Sequence, residues 1–465
     1  MTDRLPSGNK HLDAILHGGL LKNAINLIVG VPGSGKTILS QQFAFHNATP
    51  EQPALYLSTL SEPLDKILRY AEALKFFDPT ALQDGRIVYA DIGQVLGEQG
   101  LDDVIATVDQ HLKEIKPSIV VIDSFRAFHA VAKDSTTFRQ FLYGMTRRLT
   151  ASASTSIWNA PYSRAQAVEE AEFAVADGII ALDIKQVAER ELRLLQVLKL
   201  RGSGFLSGEH VYRITDEGLA VYPRLADIET QDRYELSAAR SASGIAALDE
   251  LLRGEGYWSG TATLIVGPSG VGKTLMGLHF LYHGAAVGEP GILATFQEST
   301  SQLARIVGSF GWSIDDENVT VMSRGPVELY IDEWVYELMD LVSAKKAKRV
   351  VIDSLTDLIS AAGDVVRFRE WMFSLVQHCT RAGVSLMLTM EVPELFQLRR
   401  ISDTAISHLA DNVVLLQYVQ EESQLSRALT VLKTRAMAHQ PVMHRFEITR
   451  EGFKLGGAVP LGRYG

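Results

Sequence analysis

The chain has 465 residues, 46% hydrophobic and 22% charged, with a formal net charge of −10. That length exceeds what one hydrophobic core supports and predicts at least two domains. No apolar run approaches the roughly 18–20 residues that cross a bilayer, and residues 1–10 lead into no signal-like segment. The single cysteine, Cys379, excludes an intrachain disulfide and a cysteine-clustered metal site.

A cytoplasmic protein is the expectation. Net acidity also makes nucleic acid an unexpected partner, because phosphate binding normally gathers Lys and Arg. The longest basic cluster, Lys345, Lys346, Lys348 and Arg349, reads as a solvated helix end before an apolar strand.

In chain order, Ser7-Gly8 and Leu12-Asp13 open the first half, followed by Ile25-Asn26-Leu27-Ile28-Val29, a buried strand candidate. Gly30-Val31-Pro32-Gly33-Ser34-Gly35-Lys36-Thr37 comes next and fits G-x-x-x-x-G-K-[ST] in full. Glycines let such a loop turn its N–H groups inward as an anion nest, and the following helix presents its positive end to phosphates. Lys36 is expected to reach the β- and γ-phosphates of ATP, and Thr37 to ligate Mg²⁺. Thr59-Leu60-Ser61-Glu62 closes a second strand, and Glu62 is a candidate to orient or deprotonate water; the alternative is a surface Glu capping the next helix. Asp123 ends the apolar run Ile119–Ile122, the place of a metal-holding carboxylate in a parallel sheet. Ile179–Leu182 and Leu192–Leu200 read as a hairpin extending the sheet. Lys199 and Arg201 alternate along a strand, so both cations share one face, either as an arginine-finger pair toward a neighbouring subunit or as a solvated strand face.

Residues 226–240 read as a polar linker, and the pattern then repeats at offsets of 230 to 237 residues. Ser243-Gly244 and Leu248-Asp249 answer the entry motif, and Gly267-Pro268-Ser269-Gly270-Val271-Gly272-Lys273-Thr274 is a second full phosphate loop. Thr295-Phe296-Gln297-Glu298, Asp353, Val413–Leu416 with Ala428–Leu432, and Lys433-x-Arg435 follow in the same order. The expected fold is α/β: residues 1–225 and 241–465 as two tandem P-loop domains, each a mainly parallel sheet flanked by helices. Cofactor-binding candidates are Gly33, Ser34, Gly35, Lys36 and Thr37, with Gly270, Val271, Gly272, Lys273 and Thr274. Thr37 with Asp123, and Thr274 with Asp353, are the metal candidates; Glu62, Glu298, Lys36 and Lys273 are the catalytic ones.

These motifs in this order resemble the RecA-like P-loop NTPases, in particular the KaiC branch, over nearly the whole chain. Arg201-Gly202-Ser203, Ile214-Thr215-Asp216-Glu217-Gly218 and Asp411–Val419 add to the likeness. The resemblance implies an ATPase built as a homo-oligomer, a double six-membered ring with ATP bound between neighbours and the Lys-x-Arg strands reaching that ATP in trans. It implies slow hydrolysis in the first domain, serine/threonine autokinase activity in the second, and regulatory protein partners whose identity the sequence does not give.

The family's paired strand-end glutamates become Ser61-Glu62 and Gln297-Glu298, which lowers the expected proton-accepting power. Ser407 and His408 stand at the phosphoacceptor pair, and Ser402 matches a transient acceptor. The trans histidine is present as His439 but replaced by Phe205 in the first half. The C-terminal segment that the family's activating partner pulls on is expected to be essentially missing. Two other readings stay open, a RecA- or helicase-like DNA-dependent ATPase and a non-hydrolysing ATP-binding scaffold.

Overall fold

The computed structural model describes residues 3–59, 64–167, 170–187, 190–225, 237–254, 256–325, 329–362, 364–393, 409–421, 424–435, 439 and 441–459. The chain divides into two compact units, 1–228 and 229–465. No helix among the described residues is long and apolar enough to cross a membrane.

In the first unit a short ribbon, β1 (Arg4–Leu5) with β2 (Leu20–Leu21), precedes the main sheet. The sheet comprises β3 (Ile25–Gly30), β4 (Ala54–Ser58), β5 (Ile87–Asp91), β6 (Ile119–Asp123), β7 (Thr155–Ala160), β8 (Gly178–Val187), β9 (Arg190–Leu200), β10 (His210–Thr215) and β11 (Gly218–Tyr222). Its order is β11-β10-β9-β8-β3-β7-β6-β4-β5. The strands from β8 to β5 run parallel, and β9 to β11 add an antiparallel extension.

Both faces are covered, and the strand period shows why. Leu27 and Val29 enter one apolar layer with Val104, Phe128 and Phe141; Ile28 enters the opposite layer with Leu39 and Phe43. A parallel sheet buried on both sides needs uninterrupted β-branched and leucine runs, which is what β3 and β6 contain.

The second unit repeats this plan. A ribbon of β12 (Arg240–Ser241) and β13 (Tyr257–Trp258) precedes β14 (Ala262–Gly267), β15 (Gly291–Thr295), β16 (Val319–Ser323), β17 (Arg349–Asp353), β18 (Ser385–Glu391), β19 (Asn412–Glu421), β20 (Gln424–Thr434), β21 (His444–Thr449) and β22 (Gly452–Ala458). The order, β16-β15-β17-β18-β14-β19-β20-β21-β22, is the first sheet's order in reverse reading. The entry motif works identically in both: Asp13 accepts the Ser7 N–H at 2.7 Å, and Asp249 accepts that of Ser243 at 2.9 Å.

One expectation is corrected. Arg349 is not part of a solvated helix end but is 1% exposed at the start of β17. Its guanidinium pairs with Glu289 at 2.7 Å, donates to the carbonyls of Phe280 and Ala242, and lies over the Phe280 ring. A buried arginine persists only when its donors are met, and here they are.

Candidate functional site

Each phosphate loop leaves the C-terminal edge of the central strand, β3 or β14, and runs into a helix, Lys36–Asn47 or Lys273–Ala286. The residue capping each helix, Gly35 (φ 93°) or Gly272 (φ 117°), is left-handed and provides no side-chain cap. A side chain at that φ is strained, so glycine is required there. The first N–H groups of each helix are therefore left for an outside acceptor.

The lysines bend back over their own loops. Lys36 Nζ donates to the carbonyls of Gly30 (2.8 Å) and Val31 (3.0 Å), and Lys273 Nζ to those of Gly267 (2.9 Å) and Pro268 (2.8 Å). Burial pushes both amines below the ordinary lysine range; Asp123 opposes this for Lys36, and Glu391 and Asp353 oppose it for Lys273. The buried Ser34 hydroxyl has no hydrogen-bond partner among the described residues. Cation, free helix end and orphaned hydroxyl together fit a bound polyphosphate.

The carboxylates stand where a metal would join it. Asp123 Oδ2 accepts from Thr37 Oγ1 at 2.7 Å and from Tyr56 OH at 2.6 Å. In the second unit, Thr274 and Asp353 line one cleft of about 340 Å³ with Ser269, Gly270, Lys273, Gln297 and Glu298. There the hydroxyl donating to Asp353 is Thr389. In both units the peptide bond after the carboxylate is cis. A threonine hydroxyl and a carboxylate over a phosphate loop are the donor set for Mg²⁺ held with a nucleotide. The residues fit it.

Glu298 accepts from Thr295 Oγ1 at 2.9 Å, and burial together with the nearby Asp353 charge pushes its carboxyl above the ordinary range. A carboxylate so raised is a better proton acceptor near neutral pH. Gln297 lines the same cleft, its amide held by both oxygens of Asp357 at 3.1 Å. The strand register also corrects the pairing of the two halves. Ser58 sits opposite Asp123 and Thr295 opposite Asp353, so Ser58, not Thr59, answers to Thr295. By count, Glu298 then corresponds to Ser61, with Glu62 one residue further on. Ser61 and Glu62 lie outside the described residues, as do Ser402, Ser407 and His408.

The Lys-x-Arg pairs lie elsewhere. Arg201 Nη1 donates to Asp177 at 3.2 Å, and Asp177 also accepts the Ile25 N–H at the start of β3. Lys199 Nζ donates to the Phe173 carbonyl at 3.1 Å. In the second unit Lys433 donates to Ala410, Arg435 to Asp411, and Asp411 accepts the Ala262 N–H at the start of β14. The phosphate loops leave the other end of these strands, about 17 Å away at about 3.3 Å per residue. Lys433, Arg435 and His439 are accordingly not among the residues lining the second cleft. His439 Nδ1 meets Thr434 Oγ1 at 3.0 Å, while Phe205 packs against the apolar layer of the first unit.

Some residues at the sites had no motif to announce them. Tyr56 is a strand aromatic until register sets it beside Asp123, and Leu293 takes its place in the second unit. Glu391, the last residue of β18, lines the second cleft 3.9 Å from Lys273 Nζ. A carboxylate ending an apolar strand was the available signal. Phe310 and Ile306 give the cleft an apolar wall.

A family model described as "ATPase: KaiC" matches residues 5–226 and again 241–458. The chain belongs to the KaiC ATPase family. Among proteins similar to it, the circadian clock oscillator protein KaiC of Rippkaea orientalis is 28% identical over 95% of this chain and 86% of that relative. The KaiC of Synechococcus elongatus is 27% identical over the same shares, and the circadian clock protein KaiC3 of Synechocystis sp. is 27% identical over 98% and 92%. KaiC family membership and the geometry agree on a P-loop ATPase with two tandem RecA-like domains, 9-stranded sheets at their centres.

Proposed function

We propose that the protein is a cytoplasmic, Mg-ATP-hydrolysing homohexamer in which each ATP lies between neighbouring subunits and nucleotide state governs assembly or the binding of regulatory partners. One observation carries the reading. Lys199 with Arg201, and Lys433 with Arg435, sit at the strand edge opposite their own phosphate loops. A phosphate they meet therefore lies outside their own unit, and a ring of identical chains would supply one at every interface.

Lys36 and Lys273 hold the phosphates, Thr37 with Asp123 and Thr274 with Asp353 the metal, and His439 adds a trans contact in the second ring only. Mg²⁺ held by these residues would supply neutralising charge for the phosphates. Glu298 orients water in the second site, and Glu62 is assigned the same task in the first. Ser407 is the candidate phosphoacceptor of an autokinase step, and the circadian names of the relatives make clock-type signalling the setting.

The test is native mass spectrometry of the full chain with Mg-ATP, beside a phosphate-release assay. Hexamers that release phosphate are expected. Monomers with undiminished turnover would overturn the ring, and hexamers without turnover would leave a binding scaffold.

A further inference from the structure

We propose that Glu172 is a positioning residue of the first unit, locking in place the segment that presents Lys199 and Arg201. The inference rests on the reading that this pair serves a neighbouring subunit's nucleotide.

Glu172 lies in the short helix Ala171–Val175 and is fully buried. Its carboxylate is met by His129 Nε2 at 3.1 and 3.3 Å and by Tyr162 OH at 2.7 Å. Burial alone pushes this carboxyl up, but the hydrogen bonds from His129 and Tyr162 outweigh it and hold it below the ordinary range. A buried charge held by specific donors resists displacement, because moving it leaves the charge unpaired. The next two residues then hold the cations. The Phe173 carbonyl accepts from Lys199 Nζ at 3.1 Å, and the Ala174 carbonyl from Arg201 Nη2 at 3.3 Å.

The other end of the lock reaches the nucleotide site. His129 lies six residues beyond Asp123 in the helix Ala127–Val131, and Phe125 and Phe128, between them, are fully buried. Its ring stacks on Phe138 with centroids 3.6 Å apart. Glu170 stands 3.9 Å from His129 Nε2, Arg126 lies over the Tyr162 ring, and Asp177 pairs with Arg201. The metal-holding carboxylate and the outward cations are thus joined by one packed, hydrogen-bonded chain of residues.

Among the described residues the second unit shows no such lock. Six residues beyond Asp353 stands Ile359, and Val392 takes the place of Tyr162 by count. Lys433 instead bonds to the carbonyl of Ala410.

The experiment uses the full chain carrying Lys273→Ala, so that phosphate release reports the first site alone. Glu172→Gln keeps the side-chain volume but removes the charge, and lowers kcat about threefold to tenfold with nucleotide affinity little changed. His129→Leu does the same, while His129→Gln, which restores an N–H donor, recovers most of the turnover. In a background lacking both cations, Lys199→Ala with Arg201→Ala, Glu172→Gln lowers the residual turnover no further, because it acts through that pair.

Additive losses in that background, or a loss matched by weaker nucleotide binding and a lower Tm without recovery by His129→Gln, sink the proposal alone. Full turnover by the chain carrying Lys199→Ala with Arg201→Ala removes the ring reading, and the proposal with it.

Discussion

The two phosphate-loop sites share a backbone plan and differ in what surrounds the carboxylate that ends β6 or β17. Asp123 is satisfied by Thr37 and Tyr56, whereas Asp353 is satisfied by Thr389 and shares its cleft with Glu298 and Glu391. The difference teaches that duplication preserved the phosphate cradle, which backbone geometry dictates, and left the neighbouring polar and acidic side chains free to diverge. Among the described residues, Thr37 and Asp123 are joined directly in the first unit, while the cleft of the second also holds Glu298 and Glu391.

The largest expected effect separates the sites. Lys36→Ala and Lys273→Ala should each remove about a hundredfold or more of turnover at their own loop, as loss of a main phosphate contact does. Measuring phosphate release in each single variant gives the share of each site, and equal losses in both would break the claimed inequivalence.

Next comes Glu298. In a Lys36→Ala background, Glu298→Gln should lower turnover about a hundredfold while Mg-ATP still binds. The same background gives a pH test with a definite sign. In the proposed role Glu298 acts as the carboxylate, and its pKa is raised by burial and by Asp353. Turnover should therefore decline on acidification at a pH above the ordinary glutamate range; an acid limb at or below it would contradict the assignment.

A third difference lies within the helix that follows each loop. Gln42 accepts the Leu219 N–H and donates to Ser7, but His279 stands at its place in the second unit, packed among Phe310, Trp312 and Phe453. Burial lowers its pKa from 6.5 to about 4. The unfolded chain then binds the extra proton between these values, so the second unit should lose stability as pH falls through that window. His279→Gln should abolish that slope, worth on the order of 2 kcal/mol at pH 4 after solvent screening is allowed for. Urea midpoints at pH 7 and pH 5 check it, and a slope unchanged by the substitution would exclude His279 as its source.

The smallest effect concerns Glu391, whose counterpart by register is Pro161. Removing a half-exposed negative charge near the phosphates, Glu391→Gln should tighten Mg-ATP binding at the second site about twofold to fivefold. Isothermal titration in the Lys36→Ala background reads this directly, and weaker binding would mean that Glu391 helps to hold the nucleotide.

Much of the architecture was legible because its requirements are local. Gly35 and Gly272 must be glycine to turn the loop, and the apolar runs before Asp123 and Asp353 are what strands buried on both faces demand. What could not be read depends on register between distant segments. Tyr56 meets Asp123 only across a strand pair, and Arg349 is buried because Glu289, Ala242 and Phe280 close around it. The Thr59 and Thr295 quartets look equivalent as strings, yet backbone pairing offsets them by one residue. Lys199 and Arg201 were visible as a cationic pair, but their distance from their own loop emerged only from the bonds of Asp177. Glu62 and Ser407 lie outside the described residues.

Subunit complementation tests the central claim, that each site is completed by a neighbour. Two chains, both carrying Lys273→Ala, are prepared with either Lys36→Ala or Lys199→Ala plus Arg201→Ala, and each alone should release little phosphate. Dissociated and reassembled together, they should regain activity, because an intact loop from one chain then faces intact cations from the other. A mixture as inactive as its components would contradict the account.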